Sequence, residues 1–165
     1  MKRIWIICLI IGLLCCTACG AVPAQPEDNT VTERVSATPQ SAAEWLAVLR
    51  EKLPFDDEMS ETDQAAAIYG ILDEDGYTGD TAMLISTMAT PEEVAVFRAD
   101  DVYPAQALRD LAQARIDQQT ASYASYAPEE VPKLETAVVK TVGDYVIVCV
   151  CADNAAAAEL VDSLS

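Results

Sequence analysis

Histidine is absent from all 165 residues. That absence removes Ser-His-Asp and Cys-His catalysis, histidine-based zinc sites and the ordinary proton shuttle near neutral pH. Positive charge is scarce as well: ten Lys and Arg stand against 27 Asp and Glu, for a formal net charge of −17. Lys2 and Arg3 hold two of those ten, so the rest of the chain is more acidic still. Nucleic acid is excluded as an expected partner, because phosphate binding requires a basic surface for counterion release. Adsorption of the folded part to anionic lipid is disfavoured on the same ground. Large aromatics are few, with two Phe and two Trp. The length suits one compact domain plus extensions, with a small core of Leu, Ile, Val and Tyr.

What is present at the start is an apolar run, Ile4 to Cys16, behind Lys2 and Arg3 and followed by Thr17, Ala18 and Cys19. A positive start, a hydrophobic stretch and small residues at its end predict a secretory signal over residues 1–18. A retained membrane anchor is the alternative, but a spanning helix needs about 20 apolar residues. The segment "CTACG" resembles the bacterial lipobox, in which small residues precede a Cys that receives diacylglycerol and becomes the mature N-terminus. Ala18, Thr17 and Gly20 suit that pattern around Cys19, while Cys16 departs from it, standing where Leu is usual. Cys19 is the expected lipid acceptor. Two or more acyl chains, palmitate among them, give stable anchoring at roughly 0.8 kcal/mol per buried methylene. Removal of the signal takes Cys8, Cys15 and Cys16 with it, so the six cysteines do not describe a disulfide framework.

Residues 19–40 read as the lipidated N-terminus and a flexible linker, rich in Pro, Thr and Ser and without apolar period. A coil of that length spans on the order of 25 Å r.m.s.. A single domain is expected over residues 41–165. Ser41 and Glu44 form a capping box ahead of a first helix carrying Ala42, Trp45, Leu46, Leu49 and Leu53 at helical spacing. Ser60 to Leu72 suggests a second helix, interrupted by Gly70. Thr81–Ala89 and Glu92–Ala99 read as strands joined at Thr90 and Pro91. A long helix is expected after Asp101, with Ala105, Leu108, Ala112 and Ile116 on one face. A second hairpin turns at Gly143 and Asp144, and a closing helix runs from about Asn154 to Leu164, capped by Asp153 or Asn154. The order is α-α-β-β-α-β-β-α. The fold class is α+β, an antiparallel sheet of about four strands with helices packed on one face. A ββα pseudo-repeat is suggested by aligning Ala95–Leu111 with Val148–Leu164, although alanine-rich helices align easily.

The stretches "EEVAVFRADD" and "YAPEEVPKLETAVVKTVGDYVIVCVCAD", together with the lipobox, carry a family resemblance. The chain resembles the lipoproteins of Gram-positive bacteria that contain the domain-of-unknown-function family 4358, over roughly Ser41 to the end. The resemblance implies a lipoprotein signal, a polar linker and a small α+β domain. It implies no activity.

Three stretches carry candidate chemistry. Asp73, Glu74, Asp75 and Asp80 share an acidic, glycine-containing loop of the kind a hard cation prefers. Ile71 and Ala82 occupy positions where an EF-hand needs acidic ligands, so a solvated acidic turn is the plainer reading and no metal is assigned. Cys149 and Cys151 lie two apart in a strand, share a face and are badly aimed for a disulfide. Tyr123 and Tyr126 with Glu129 and Glu130 form a candidate ligand rim, aromatic and carboxylate groups on a connection. The alternative is that the tyrosines close the core and the glutamates favour a helix start after Pro128.

The expectation is a lipid-anchored protein on the extracytoplasmic side of the cell membrane. It binds an envelope protein or a small extracellular ligand rather than catalysing a reaction, and no cofactor is implied. A carboxylate-based hydrolase and a calcium-responsive envelope module are the alternatives.

Overall fold

The computed structural model describes residues 38–165. The expected signal segment, the acceptor Cys19 and the linker up to residue 37 lie outside the described residues. In chain order the elements are α1 (Ala42–Lys52), β1 (Ser60–Thr62), α2 (Ala65–Ile68), β2 (Thr81–Ile85), β3 (Glu93–Arg98), α3 (Ala105–Tyr126), α4 (Val131–Glu135), β4 (Val138–Val142), β5 (Tyr145–Val150) and α5 (Asn154–Ser163). Short 3₁₀ turns lie at Asp73–Asp75 and Pro128–Glu130. The strands form one sheet in the order β1-β2-β3-β5-β4, with every neighbouring pair antiparallel. The α+β class with an antiparallel sheet is therefore present, with a fifth strand.

Two central strands set the architecture. β5 is apolar throughout and β3 is apolar from Val94 to Phe97, and both faces of each are buried there. A strand that alternates apolar and polar needs one covered face, whereas a continuous apolar run needs two. Leu84, Val94, Val96, Ile147 and Cys149 point to one face, where Trp45 and Leu49 of α1 and Ala157 and Val161 of α5 pack on them. Met83, Ala95, Phe97, Val146 and Val148 point to the other, against Leu108, Ala112 and Ile116 of α3 and Leu134 of α4. Val94 stands opposite Cys149 and Ala95 opposite Val148, so this alternation stays in phase across the pair. Each fully buried large side chain contributes roughly 1.5–3 kcal/mol of transfer free energy.

Three expectations need correction. Helices cover both faces of the sheet, not one, for the reason just given. The segment expected as a second helix opens with the edge strand β1, and only the four residues of α2 are helical. Gly70, at φ +78°, ends that turn in a left-handed conformation that L residues seldom adopt, and Ile71 N–H closes back on Ala66 O at 2.9 Å. The first long strand stops at Ile85 rather than Ala89: Ser86 N–H bonds Glu92 O as the last rung, and beyond it Ser86 Oγ donates to Thr90 O and Met88 takes φ +73°, which turns the chain.

The ββα pseudo-repeat is not a structural one. A two-fold axis that exchanges antiparallel neighbours such as β3 and β5 is normal to the sheet and keeps each helix on its own face. α3 and α5 lie on opposite faces.

Several local expectations hold. Ser41 accepts a hydrogen bond from Glu44 N–H at the start of α1, and Asp153 accepts from Ala156 N–H at the start of α5. Gly143, at φ +54°, takes the first position of the two-residue turn between β4 and β5. Cys149 and Cys151 are unpaired and buried on the α1 side, and burial pushes the Cys149 thiol well above its ordinary range. Among the described residues, no helix is long and apolar enough to cross a membrane.

Candidate functional site

A cleft of about 200 Å³ opens between α3 and the loop from Ser86 to Glu92 that joins β2 to β3. α3 supplies one wall through Arg115, Gln119, Ser122 and Tyr126. These positions recur every three or four residues and therefore share one helical stripe. That stripe runs beside the buried face, where Leu108, Ala112, Ile116 and Tyr123 meet the sheet. The other wall is the loop itself, with Met88, Thr90 and Pro91, and Ile85 at the end of β2.

Side chains, not regular backbone pairing, hold the loop in shape. Ser86 Oγ donates to Thr90 O at 2.6 Å and accepts from Met88 N–H at 3.3 Å. The turn forces Met88 to φ +73°, the left-handed region, at a cost on the order of 1 kcal/mol. Tyr123 Oη donates to Met88 O at 3.2 Å and fastens the loop to α3. Burial, with Tyr126 beside it, pushes the Tyr123 phenol well above its ordinary value, so it remains a donor across the physiological range. From the opposite side, Asp57 accepts from both Thr87 N–H and Thr87 Oγ1–H. Those bonds hold the Asp57 carboxyl below its ordinary value.

Beneath the cleft, two consecutive fully buried glutamates anchor the start of β3. Strand alternation sends them to opposite sides. Glu92 accepts from the N–H groups of Asp56 and Asp57 at 2.9–3.0 Å and from Thr90 Oγ1 at 3.1 Å, with Lys133 Nζ 3.6 Å away. Partial burial pulls the Lys133 ammonium down, and the carboxylates of Asp56, Glu130 and Glu92 more than offset it, so its pKa is raised. Glu93 accepts from Tyr69 Oη at 2.7 Å, Arg115 Nη2 at 2.9 Å and Gln119 Nε2 at 3.0 Å. Burial raises the Tyr69 phenol well above its ordinary value, and the Glu93 charge adds to the effect. Two atoms of this floor, Arg115 Nε and Gln119 Oε1, are buried without a hydrogen-bond partner among the described residues.

The sequence-predicted rim divides. Tyr123 and Tyr126 line the cleft, their ring centroids 4.7 Å apart and tilted by 39°. They lie on the last turn of α3 rather than on a connection. Glu129 and Glu130 fall in the following 3₁₀ turn, outside the lining, and Glu130 pairs with Lys133 at 2.9 Å. The acidic loop is drawn into other work. Asp80 accepts from Ala42 N–H at 2.7 Å and pairs with Arg98 Nε at 2.7 Å, while Asp75 accepts from Tyr103 Oη. Glu74 is exposed. Among the described residues no group of three or more Asp, Glu or Cys is arranged to hold a metal ion.

Sequence reasoning passed over Glu92, Glu93, Arg115, Gln119 and Met88. Two signals pointed to them. Paired glutamates head an apolar strand that has no solvent face, so they demand buried partners. The 115/119/122/126 spacing also marks a second, polar stripe beside the apolar one.

The family described as Domain of unknown function (DUF4358) matches residues 52–151, a span holding all five strands and every residue of the cleft, and the chain belongs to it. No curated protein and no solved structure matches the chain.

Proposed function

We propose that this member of the family is a lipid-anchored extracytoplasmic protein, tied to the membrane through Cys19, whose domain binds a ligand rather than catalysing a reaction. The cleft between α3 and the Ser86–Glu92 loop is its binding site. The partner is a small extracellular ligand or a segment of another envelope protein.

One observation carries the binding reading: an open cleft that sets Ile85, Met88, Pro91 and two tyrosine rings among polar side chains, with both neighbouring glutamates already committed to internal partners. Hydrolysis by paired carboxylates needs two of them facing one substrate across a gap of roughly 5–9.5 Å. Glu92 and Glu93 turn to opposite sides of the sheet and are both fully buried, which favours a scaffold role for them. Aromatic and amide groups on a rigid helix, facing a shaped loop, suit recognition.

Two experiments test this. A fragment screen read by ¹H–¹⁵N chemical shifts should gather hits on residues 85–91 and 115–126. Hits scattered over the surface, or none there at millimolar concentration, would end the binding-site reading. Separately, Cys19→Ala should abolish incorporation of a clickable fatty acid in cells; undiminished labelling would remove the anchor.

A further inference from the structure

The charges around the cleft cancel in pairs. Arg115 is spent on Glu93 at 2.9 Å, and Glu92 is held by backbone N–H groups with Lys133 close by. An anionic ligand would meet an already neutralised guanidinium on a chain of net charge −17, and a cationic one would find Glu92, the one carboxylate of the lining, already held by the N–H groups of Asp56 and Asp57. The site favours an uncharged ligand.

Size and wall chemistry narrow the class. An apolar cavity of about 150 Å³ accommodates benzene. The cleft, at about 200 Å³, accommodates one ring with a small substituent. Met88 and Tyr126 are among the four large hydrophobic residues left exposed in the described structure, at 71% and 58%, and they belong to opposite walls of this cleft. A thioether and an aromatic ring both favour contact with an aromatic guest, through sulfur–aromatic and tilted ring contacts. The floor then adds direction. Arg115 Nε–H lacks an acceptor and Gln119 Oε1 lacks a donor among the described residues, and one secondary amide supplies both.

We infer that the cleft receives the uncharged aromatic side chain of a peptide segment, the ring between Met88 and Tyr126 and the adjoining amide paired with Arg115 and Gln119. This rests on the cleft being the ligand site, and it names what that site selects. The strained Met88 fits such a role, since a non-glycine residue held at φ +73° and left 71% exposed in the lining marks a position shaped for something other than the core.

The test uses the full domain with N-acetyl-tyrosinamide as probe. Phenol, tyramine, 4-hydroxyphenylacetate and N-acetylglucosamine serve as comparisons, and each titration is followed by ¹H–¹⁵N shifts. N-acetyl-tyrosinamide should shift residues 85–91 and 115–126 and bind more tightly than phenol, which lacks the amide. Tyramine and 4-hydroxyphenylacetate should bind more weakly than their neutral counterpart. Tyr126→Ala, at an exposed position, should weaken the probe by about tenfold, or 1.4 kcal/mol. Met88→Gly, which removes the thioether and relieves the backbone, should weaken binding while leaving thermal stability equal or higher. A charged analogue binding more tightly, or N-acetylglucosamine alone shifting the cleft, would overturn the peptide-aromatic inference while leaving the cleft a binding site. If no compound, including those of the fragment screen, perturbed these residues, both readings would fall together.

Discussion

The two faces of the sheet are built on different principles. On the α1 and α5 side the contacts are hydrophobic: Trp45, Leu49, Val94, Ile147, Cys149 and Val161 close-pack, and both covering helices begin with a side-chain cap. On the α3 side the apolar layer of Phe97, Leu108 and Val148 is interrupted by a buried Tyr69–Glu93–Arg115 cluster. α3 itself starts at Pro104 without a side-chain cap bond. The chain has only ten basic residues, yet Arg115 is placed on the buried Glu93 under the cleft. The contrast teaches that the first face is optimised for cohesion, while the second carries a polar scaffold that an ordinary core does not need. Replacing a buried ion pair by apolar groups is often neutral or stabilising. Retention of this cluster is therefore better explained by positioning Arg115 and Gln119 at the cleft floor than by stability.

The comparison can be broken first at its most cohesive point. Trp45→Ala, which empties the first face, should cost about 3–5 kcal/mol in urea denaturation. A loss below 1 kcal/mol would show that this face does not dominate the core. On the second face, Glu93→Ala should cost about 3 kcal/mol, because Arg115 and Tyr69 lose their buried partner. The triple variant Tyr69→Phe, Glu93→Leu, Arg115→Met should recover most of that loss and abolish ligand shifts in the cleft. If the triple variant were no more stable than the single one, the cluster would be a stability element after all.

Caps sharpen the contrast at smaller scale. Asp153→Ala removes the bond to Ala156 N–H and should cost about 1 kcal/mol by thermal melting, a loss that has no counterpart at the uncapped start of α3. The smallest effect concerns acid. Thr87, with the N–H of Glu58, lowers the Asp57 pKa, and the N–H groups of Tyr103 and Thr78 lower that of Asp100. A depressed folded-state value means stability fully present above the ordinary 3.8 and lost as pH falls through the lowered value. The Tm difference between the native chain and Asp57→Asn should therefore stay constant above that range and shrink below it. Because Asp57 ties down Thr87, the cleft loop should loosen before the α1 face does, with amide exchange at residues 86–91 rising first.

Much of the fold was legible because it is local. The Ser41 and Asp153 caps, the Gly143 turn and the apolar runs of β3 and β5 each declare themselves within a few residues. Edge strand β1 did not, since Ser-Glu-Thr has no apolar pattern and becomes a strand only by pairing with Met83–Ile85. The end of α3 was missed for a related reason. The pattern places Tyr123 and Tyr126 on a connection, whereas the helix runs on to Tyr126, its tyrosines supported by Met88 and by each other. Of the site, Tyr123 and Tyr126 were visible as an unusual aromatic pair. The rest combined the polar stripe of α3 with a loop more than twenty residues away in sequence.

By itself, then, the sequence determined the class of this protein: histidine-free and acidic, with central strands too apolar to bear a solvent face and first and last helices opened by their own caps. Periodicity and capping act over one or two turns, so they survive without a partner. Only tertiary structure decided which helix covers which face, where the two buried glutamates find their cations, and that a stripe on α3 meets the Ser86–Glu92 loop. Those outcomes depend on contacts between distant segments, and no local pattern specifies who the neighbour will be.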